Sequence, residues 1–271
     1  MAGSVLSIAV FSAIELTVLQ VLYASIDLYE QFLNVGFAVI SGLQTSWQHW
    51  QAPVCLRQST AFRRACMFTG IVQGIARVEN VIAAPGLSTF VIEFPEDRVQ
   101  GVTIGASVAI NGTCLTVTRQ EGHRLYFDAM QETLRLTTLG DLKPGDETNF
   151  ERAARIGDEI GGHLLSGHIH TTATIVDILR PENNVTLWFE LPETWAKYIF
   201  PKGYIAINGA SLTIGEVEGN RFNVHLIPET LRATTFGKAT KGQKVNIEID
   251  SQTQTIVDTL ARLGYDRPAT V

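Results

Sequence analysis

Residues 161–170 read G-G-H-L-L-S-G-H-I-H and put His163, His168 and His170 within eight residues of chain. Imidazoles this close can bind a metal or move protons. A zinc site needs about four ligands at recognisable spacing. No second ligand cluster follows, so proton transfer is the expected role and no metal is expected. Two further reactive groups sit in one phrase written twice. Residues 109–117 are A-I-N-G-T-C-L-T-V and residues 206–214 are A-I-N-G-A-S-L-T-I. Cys114 in the first becomes Ser211 in the second, and either is a nucleophile once a base takes its proton.

The phrase belongs to a longer repeat, offset by 97 residues as from Asn111 to Asn208. Without a gap, E-T-L-R at 132–135 falls on E-T-L-R at 229–232, Asn149 on Asn246, and Glu151 on Glu248. That period is too long for a solenoid unit and fits two tandem domains, 67–163 and 164–252. Short β-rich runs such as C-L-T-V-T and R-F-N-V-H alternate with N-G, E-G and P-G turns, so each domain is expected to be a small all-β barrel or sandwich. The repeated N-G pairs are hairpin signals, because both central residues of that turn take positive φ. Beyond the repeat, Ile256, Val257, Leu260 and Leu263 form one helical stripe stopped by Gly264. The stripe can pack on its own barrel or join chains, and 253–271 is assigned to this helix and tail.

Where the repeats differ, they differ in chemistry. Ile71 becomes His168, Asp128 becomes His225, and Ala153 becomes Asp250. Two similar domains offer two similar pockets, able to bring two molecules of one ligand together. The second repeat, or a site it shares, carries the proton-transfer groups.

Composition closes other routes. The net charge of −6 lacks the basic surface of a nucleic-acid binder. Three cysteines without a C-x-x-C pair point to a reducing compartment. No dinucleotide fingerprint, P-loop or serine-hydrolase elbow is present. Residues 1–66 stand apart, with no Lys or Arg before Arg57. Residues 4–25 are long enough to span a bilayer, but Glu15 interrupts them and no basic residue flanks them, so a membrane span is not expected. The extension reads as sequence upstream of the true start, with a targeting segment or an anchor as alternatives. A cytoplasmic location follows, or an organellar one if 1–66 is a transit segment.

M-F-T-G-I-V-Q-G-I at 67–75 resembles the opening of the riboflavin synthase family. G-A-S-V-A-I-N-G-T-C-L-T-V (105–117), G-G-H-L-L-S-G-H-I (161–169), K-G-Y-I-A-I-N-G-A-S-L-T-I (202–214) and I-P-E-T-L (227–231) resemble its other signatures, in order. The resemblance runs from 67 to about 265, and Met67 is where family members commonly begin. It implies two six-stranded Greek-key barrels, a C-terminal helix that builds a homotrimer, and no cofactor. It also implies the reaction. Two molecules of 6,7-dimethyl-8-ribityllumazine exchange a four-carbon unit, giving riboflavin and 5-amino-6-ribitylaminouracil. Association with lumazine synthase is a further partner it raises.

Residue by residue, the resemblance assigns the first pocket Gly70, Ile71 and Val72, the strand Cys114, Leu115 and Thr116, and the segment Asp128, Ala129, Met130, Gln131, Glu132 and Thr133. It assigns the second pocket Gly167, His168 and Ile169, then Lys202, Ser211, Leu212 and Thr213, and the segment Ile227, Pro228, Glu229, Thr230, Leu231 and Arg232. The active site is expected where the first barrel of one subunit meets the second barrel of its neighbour. Catalysis is expected from Cys114, Ser107, His163, His168, Ser211 and Asp250. His168, or a water it holds, takes a proton from the C7 methyl of one lumazine. Ser, Cys or hydroxide adds to C7 of the other, oriented by Asp250. The rival reading is a non-catalytic relative that binds lumazine or flavin as an optical antenna. Such relatives lose catalytic side chains in the second repeat, where this chain keeps His168, Lys202, Ser211 and Asp250.

Overall fold

The structure, a computed structural model, describes residues 67–182 and 184–265. Residues 1–66, with the stretch 4–25, Cys55 and Cys66, lie outside the described residues, as do 266–271 of the tail. Among the described residues no helix is long and apolar enough to cross a membrane.

Twelve strands form two closed barrels. The first holds β1 (Gly74–Ala84), β2 (Leu87–Glu93), β3 (Ser107–Ile110), β4 (Thr113–Glu121), β5 (Arg124–Met130) and β6 (Glu147–Arg152) in the order β1-β2-β5-β4-β3-β6. The second holds β7 (Thr171–Leu179), β8 (Val185–Glu190), β9 (Tyr204–Ile207), β10 (Ala210–Glu218), β11 (Arg221–Leu226) and β12 (Lys244–Ile249) in the matching order. The return of β6 to lie beside β3, and of β12 beside β9, makes each a Greek key. Alternation explains the inward faces. Leu125, Phe127 and Ala129 of β5 are buried while Asp128 and Met130, on the other face, are exposed, and Phe222, Val224 and Leu226 are the buried set of β11.

Each barrel is incomplete without the other. The N-G turns at Asn111–Gly112 and Asn208–Gly209 have positive φ at both residues, as their hairpins require. They meet back to back, so that a Cβ built on Gly112 would lie 2.7 Å from the backbone nitrogen of Gly209. Around this contact the hydrogen bonds are reciprocal. The Asn149 side-chain amide donates to the Asn208 carbonyl at 3.0 Å, and that of Asn246 donates to the Asn111 carbonyl at 2.9 Å. Asn149 Oδ1 accepts from the Thr235 N–H and Asn246 Oδ1 from the Thr138 N–H. Phe68 and Leu165, equivalent in the repeat, exchange both their backbone hydrogen bonds at 2.9 Å. The repeat is therefore a local two-fold, plugged by Phe68, Ala109, Leu165 and Ala206.

Two short helices, α1 (Gln131–Leu136) and α2 (Pro228–Ala233), follow β5 and β11. The last helix, α3 (Ser251–Arg262), starts at Asp250, whose carboxylate accepts from the Thr253 N–H at 2.8 Å. Its inner face docks on the second barrel through Val257, a Tyr198–Asp258 hydrogen bond and a His170–Gln254 hydrogen bond. Its outer face leaves Ile256 and Leu260 about half exposed.

Gly112→Ala is expected to destabilise the fold by about 2–4 kcal/mol, combining left-handed strain with a backbone clash. Gly122→Ala, at φ 59 with nothing within 4 Å of its added Cβ, carries the strain alone. Urea unfolding of the two variants measures the difference, and equal losses would mean that the seam has room.

Candidate active site

Strand register puts the reactive groups on the outer faces of the barrels. In the first, Ser107 pairs with Thr116 across β3 and β4, and Cys114 lies two residues along the same face, while Leu115 points into the core. In the second, Tyr204 pairs with Thr213 across β9 and β10, with Ser211 beside them. The chain thus builds the same three-residue face twice, with Ser107, Thr116 and Cys114 in one and Tyr204, Thr213 and Ser211 in the other.

The structure shows which barrel edge each entry segment packs on. The entry segments are exchanged. The Ser211 N–H donates to the Gly70 carbonyl at 2.8 Å, and the Cys114 N–H donates to the Gly167 carbonyl at 2.8 Å. Gly70 and Gly167 adopt φ of 74° and 75°, and a Cβ on either would come within 2.6 Å of the opposite Cβ, of Ser211 or of Cys114. Val72 packs on the core of the second barrel. Ile71 and Val72 line a groove of about 520 Å³ with Glu229, Arg232 and Ala233 of α2. Gly70 and Val72 therefore pack on the second barrel, and Gly167 on the first. The physical reason is the local two-fold. The segment leading into each barrel satisfies its peptide groups on the edge of the other.

The densest chemistry surrounds Ser211. His163 is buried, and its Nδ1 lies 2.6 Å from Ser211 Oγ. Its ring stacks on Tyr204 with centroids 5.1 Å apart. Nε2 is buried with no partner among the described residues. With the ring proton assigned to Nε2, Nδ1 accepts the Ser211 hydroxyl proton, which is the arrangement of a base and its nucleophile. Burial holds the imidazole below its usual range, while the nearby Asp250 carboxylate pulls the other way. His163 is therefore neutral at neutral pH and able to take a proton. Gly162 lets this histidine approach, since a Cβ there would strike the Thr69 carbonyl at 2.2 Å and the Ser211 Cβ at 2.6 Å.

The other residues singled out in the sequence divide into exposed and structural groups. His168, Thr213 and Ile227 are exposed, while Ile169, Leu212 and Leu231 are half-buried. Lys202 holds φ of 68° where the first repeat has Gly105. A lysine there costs about 1–2 kcal/mol of backbone strain. Asp128 accepts a hydrogen bond from Thr89 at 2.6 Å, and His225 makes the matching bond with Thr186 at 2.9 Å, so that difference between the repeats is a cross-strand pair. Glu132 and Glu229 are each held by the arginine three residues on, Arg135 and Arg232. Asp250 is partly committed to capping α3. A hollow of about 530 Å³ on the local axis, lined by Asn111, Thr138, Asn208 and Thr235 among others, gathers no imidazole and no thiol. Tyr204 is a site residue that the sequence motifs did not pick out. The signal was its place opposite Ser107 in the repeat.

Comparison with known proteins gives the family. A family model described as a lumazine binding domain matches residues 69–153 and again 166–250. A riboflavin synthase of Escherichia coli (strain K12) is 56% identical over 198 residues, covering 73% of this chain and 93% of that protein. A riboflavin synthase of Buchnera aphidicola subsp. Schizaphis graminum is 48% identical over 198 residues, 73% of this chain and 95% of that protein. The blue fluorescence protein of Aliivibrio fischeri is 40% identical, covering 68% of this chain and 96% of that protein. Among solved structures, LumP complexed with 6,7-dimethyl-8-(1'-D-ribityl) lumazine superposes with a TM-score of 0.63 at 29% identity, covering 68% of this chain and 99% of that one. Two tandem domains, each matching the lumazine-binding model, and this level of identity to an enzyme of known name place the chain in the riboflavin synthase family of lumazine-binding proteins.

Proposed function

We propose that this enzyme is a transferase that dismutates two molecules of 6,7-dimethyl-8-ribityllumazine into riboflavin and 5-amino-6-ribitylaminouracil. The observation that carries the reading is the His163–Ser211 pair beside an exchanged entry segment, in a chain that builds its ligand-facing surface twice. A groove of about 520 Å³ suits a bicyclic ring with a sugar-alcohol chain. On the second barrel, the neutral His163 takes the Ser211 proton as Ser211, or a hydroxide it orients, adds to C7 of one lumazine. On the first barrel, His168 beside Cys114 takes a proton from the C7 methyl of the other. The carbanion formed there is delocalised over the ring, and it attacks the activated partner. Lys202 holds the charge of the ring that accepts the nucleophile. Four carbons then pass from donor to acceptor, the added nucleophile leaves C7 and regains the proton held by His163, and proximity of the two rings supplies much of the acceleration.

Both faces act on one pair of substrates when the first barrel of one subunit meets the second barrel of another. The outer stripe of α3, with Ile256 and Leu260 about half exposed while Val257 packs inward, supports a homotrimer assembled through this helix. The similarity to LumP and the blue fluorescence protein favours a second reading, a binding protein without turnover. Incubation with the lumazine separates the two. Riboflavin appears under the first, and a bound, unreacted lumazine persists under the second.

Ser211→Ala and His163→Gln are each expected to lower kcat about 10²-fold or more with the lumazine dissociation constant changed less than threefold. The wild-type profile should lose activity as pH falls through the depressed His163 value, because a protonated ring cannot accept the Ser211 proton. That acid limb should sit below the usual histidine range and vanish in His163→Gln. Persistence of the same limb in the variant would assign it to another group.

Ile256→Asp with Leu260→Asp should give monomers by sedimentation with both barrels folded. In the trimer, Cys114→Ala and Ser211→Ala chains unfolded and refolded together should regain activity that neither regains alone. Mixed trimers without recovery would place the whole active site within one subunit.

A further inference from the structure

Glu151 and Glu248 are buried carboxyls at equivalent places, at the ends of β6 and β12, and neither forms an ion pair among the described residues. What they bind instead are the exchanged entry segments. Glu151 Oε1 accepts from the Thr69 N–H at 2.6 Å and from the Thr69 hydroxyl at 2.8 Å, and Oε2 accepts from the Gly70 N–H at 3.0 Å. Glu248 Oε1 accepts from the Ser166 N–H at 2.7 Å and the Ser166 hydroxyl at 2.8 Å, and Oε2 from the Gly167 N–H at 3.1 Å. Each hydroxyl then accepts one further amide. Thr69 Oγ1 takes the Ile71 N–H at 3.3 Å, and Ser166 Oγ takes the His168 N–H at 3.2 Å. Burial raises both carboxyls above their usual range, and the N–H donors pull them back down. Burying a carboxyl is costly, and these donors offset that cost by holding the entry segments against it.

The two clamps are the same, but they end on different residues. One sets the backbone of Ile71 and, through the Gly70 carbonyl, the N–H of Ser211. The other sets the backbone of His168 and, through the Gly167 carbonyl, the N–H of Cys114. We infer that Glu151 and Glu248 are positioning residues. Each reaches across the seam to fix the backbone of the opposite barrel's reactive groups, and the Glu248–Ser166 clamp fixes the backbone that carries His168. The inference rests on the synthase reading. It adds that the proton acceptor on the first barrel is held by a carboxyl of the second.

The repeat supplies the controls, because Thr and Ser hydroxyls occupy the same place in the two clamps. Ser166→Ala removes the bond to the His168 N–H and leaves the Glu248 bonds to backbone. It should lower kcat at least tenfold with the lumazine dissociation constant changed less than threefold, and Ser166→Thr, which restores the hydroxyl of the other repeat, should recover kcat to within threefold. Thr69→Val, whose clamp ends on Ile71, should leave the rate of His168-dependent deprotonation within threefold, read by exchange of the C7 methyl protons with deuterium under single-turnover conditions. Glu248→Gln should match Ser166→Ala in that exchange rate if it folds. The Ser166 pair keeps the test open if it does not. An active wild type whose Ser166→Ala variant exchanges and turns over like the parent, or whose Ser166→Thr variant does not recover, overturns the inference alone. A wild type that makes no riboflavin removes the synthase reading and this inference with it.

Discussion

A buried peptide group without a partner costs about 1–3 kcal/mol, and this fold answers that constraint by symmetry. Each barrel closes its own ladder yet leaves the N-G turn, the entry segment and the start of its fourth strand unsatisfied. The other barrel supplies the missing donors and acceptors at equivalent atoms. Asn149 and Asn246 are the clearest case. Each side chain donates to a turn carbonyl and accepts a loop N–H from the opposite repeat, so that four otherwise orphaned backbone groups are met by two residues. The glycines at the seam follow from the same closeness, because backbone lies on backbone there.

On this symmetric frame the chemistry is asymmetric, and the two properties occupy different places. Positions facing the seam keep the same type in both repeats, as Asn111 and Asn208, Gly70 and Gly167, and Glu151 and Glu248 do. Positions facing outward diverge, as Cys114 and Ser211, Ser107 and Tyr204, and Gly105 and Lys202 do. At these positions a change on one side would strand a partner on the other, whereas the apolar plug takes Phe68 in one repeat and Leu165 in the other. On the outer faces one barrel carries an imidazole stacked on a tyrosine, while the other carries a thiol at the matching place.

Much of the fold was legible. A gapless repeat, period-two alternation in strands such as β5 and β11, and the N-G turns specify two like barrels, and the stripe of Val257 and Leu260 specifies the last helix. The candidate site was legible in its residue types, since His163, Ser211, His168 and Cys114 all stand out by type and spacing. Its grouping was not. Sequence order assigns Gly70 to the first barrel and Gly167 to the second, and nothing local reveals that peptide groups pair across a two-fold. The Glu151 and Glu248 clamps were visible as identical residues in the repeat. Their role was not, because a strand-end carboxylate reads as a surface charge unless its burial is known. Asp250 carried a second duty, helix capping, that the Asp-then-Ser-x-Thr pattern encodes and that attention to reactive groups overlooked.

The back-to-back meeting of the two N-G turns bears on synthesis as well as on stability. Much of the repeated surface is self-complementary, since the asparagine, turn and entry-segment bonds recur at equivalent atoms, while the Lys238–Glu147 ion pair has no counterpart because the equivalent residues are Asp141 and Lys244. A ribosome finishes the first barrel about 97 residues before the second, a delay of roughly 5–20 s at ordinary elongation rates. During that time the open seam of a nascent first barrel matches the open seam of its neighbour on the same message. Covalent linkage gives the proper partner a high effective concentration once it emerges, so the order of the repeats along the chain also sets the interval in which barrels from different chains compete.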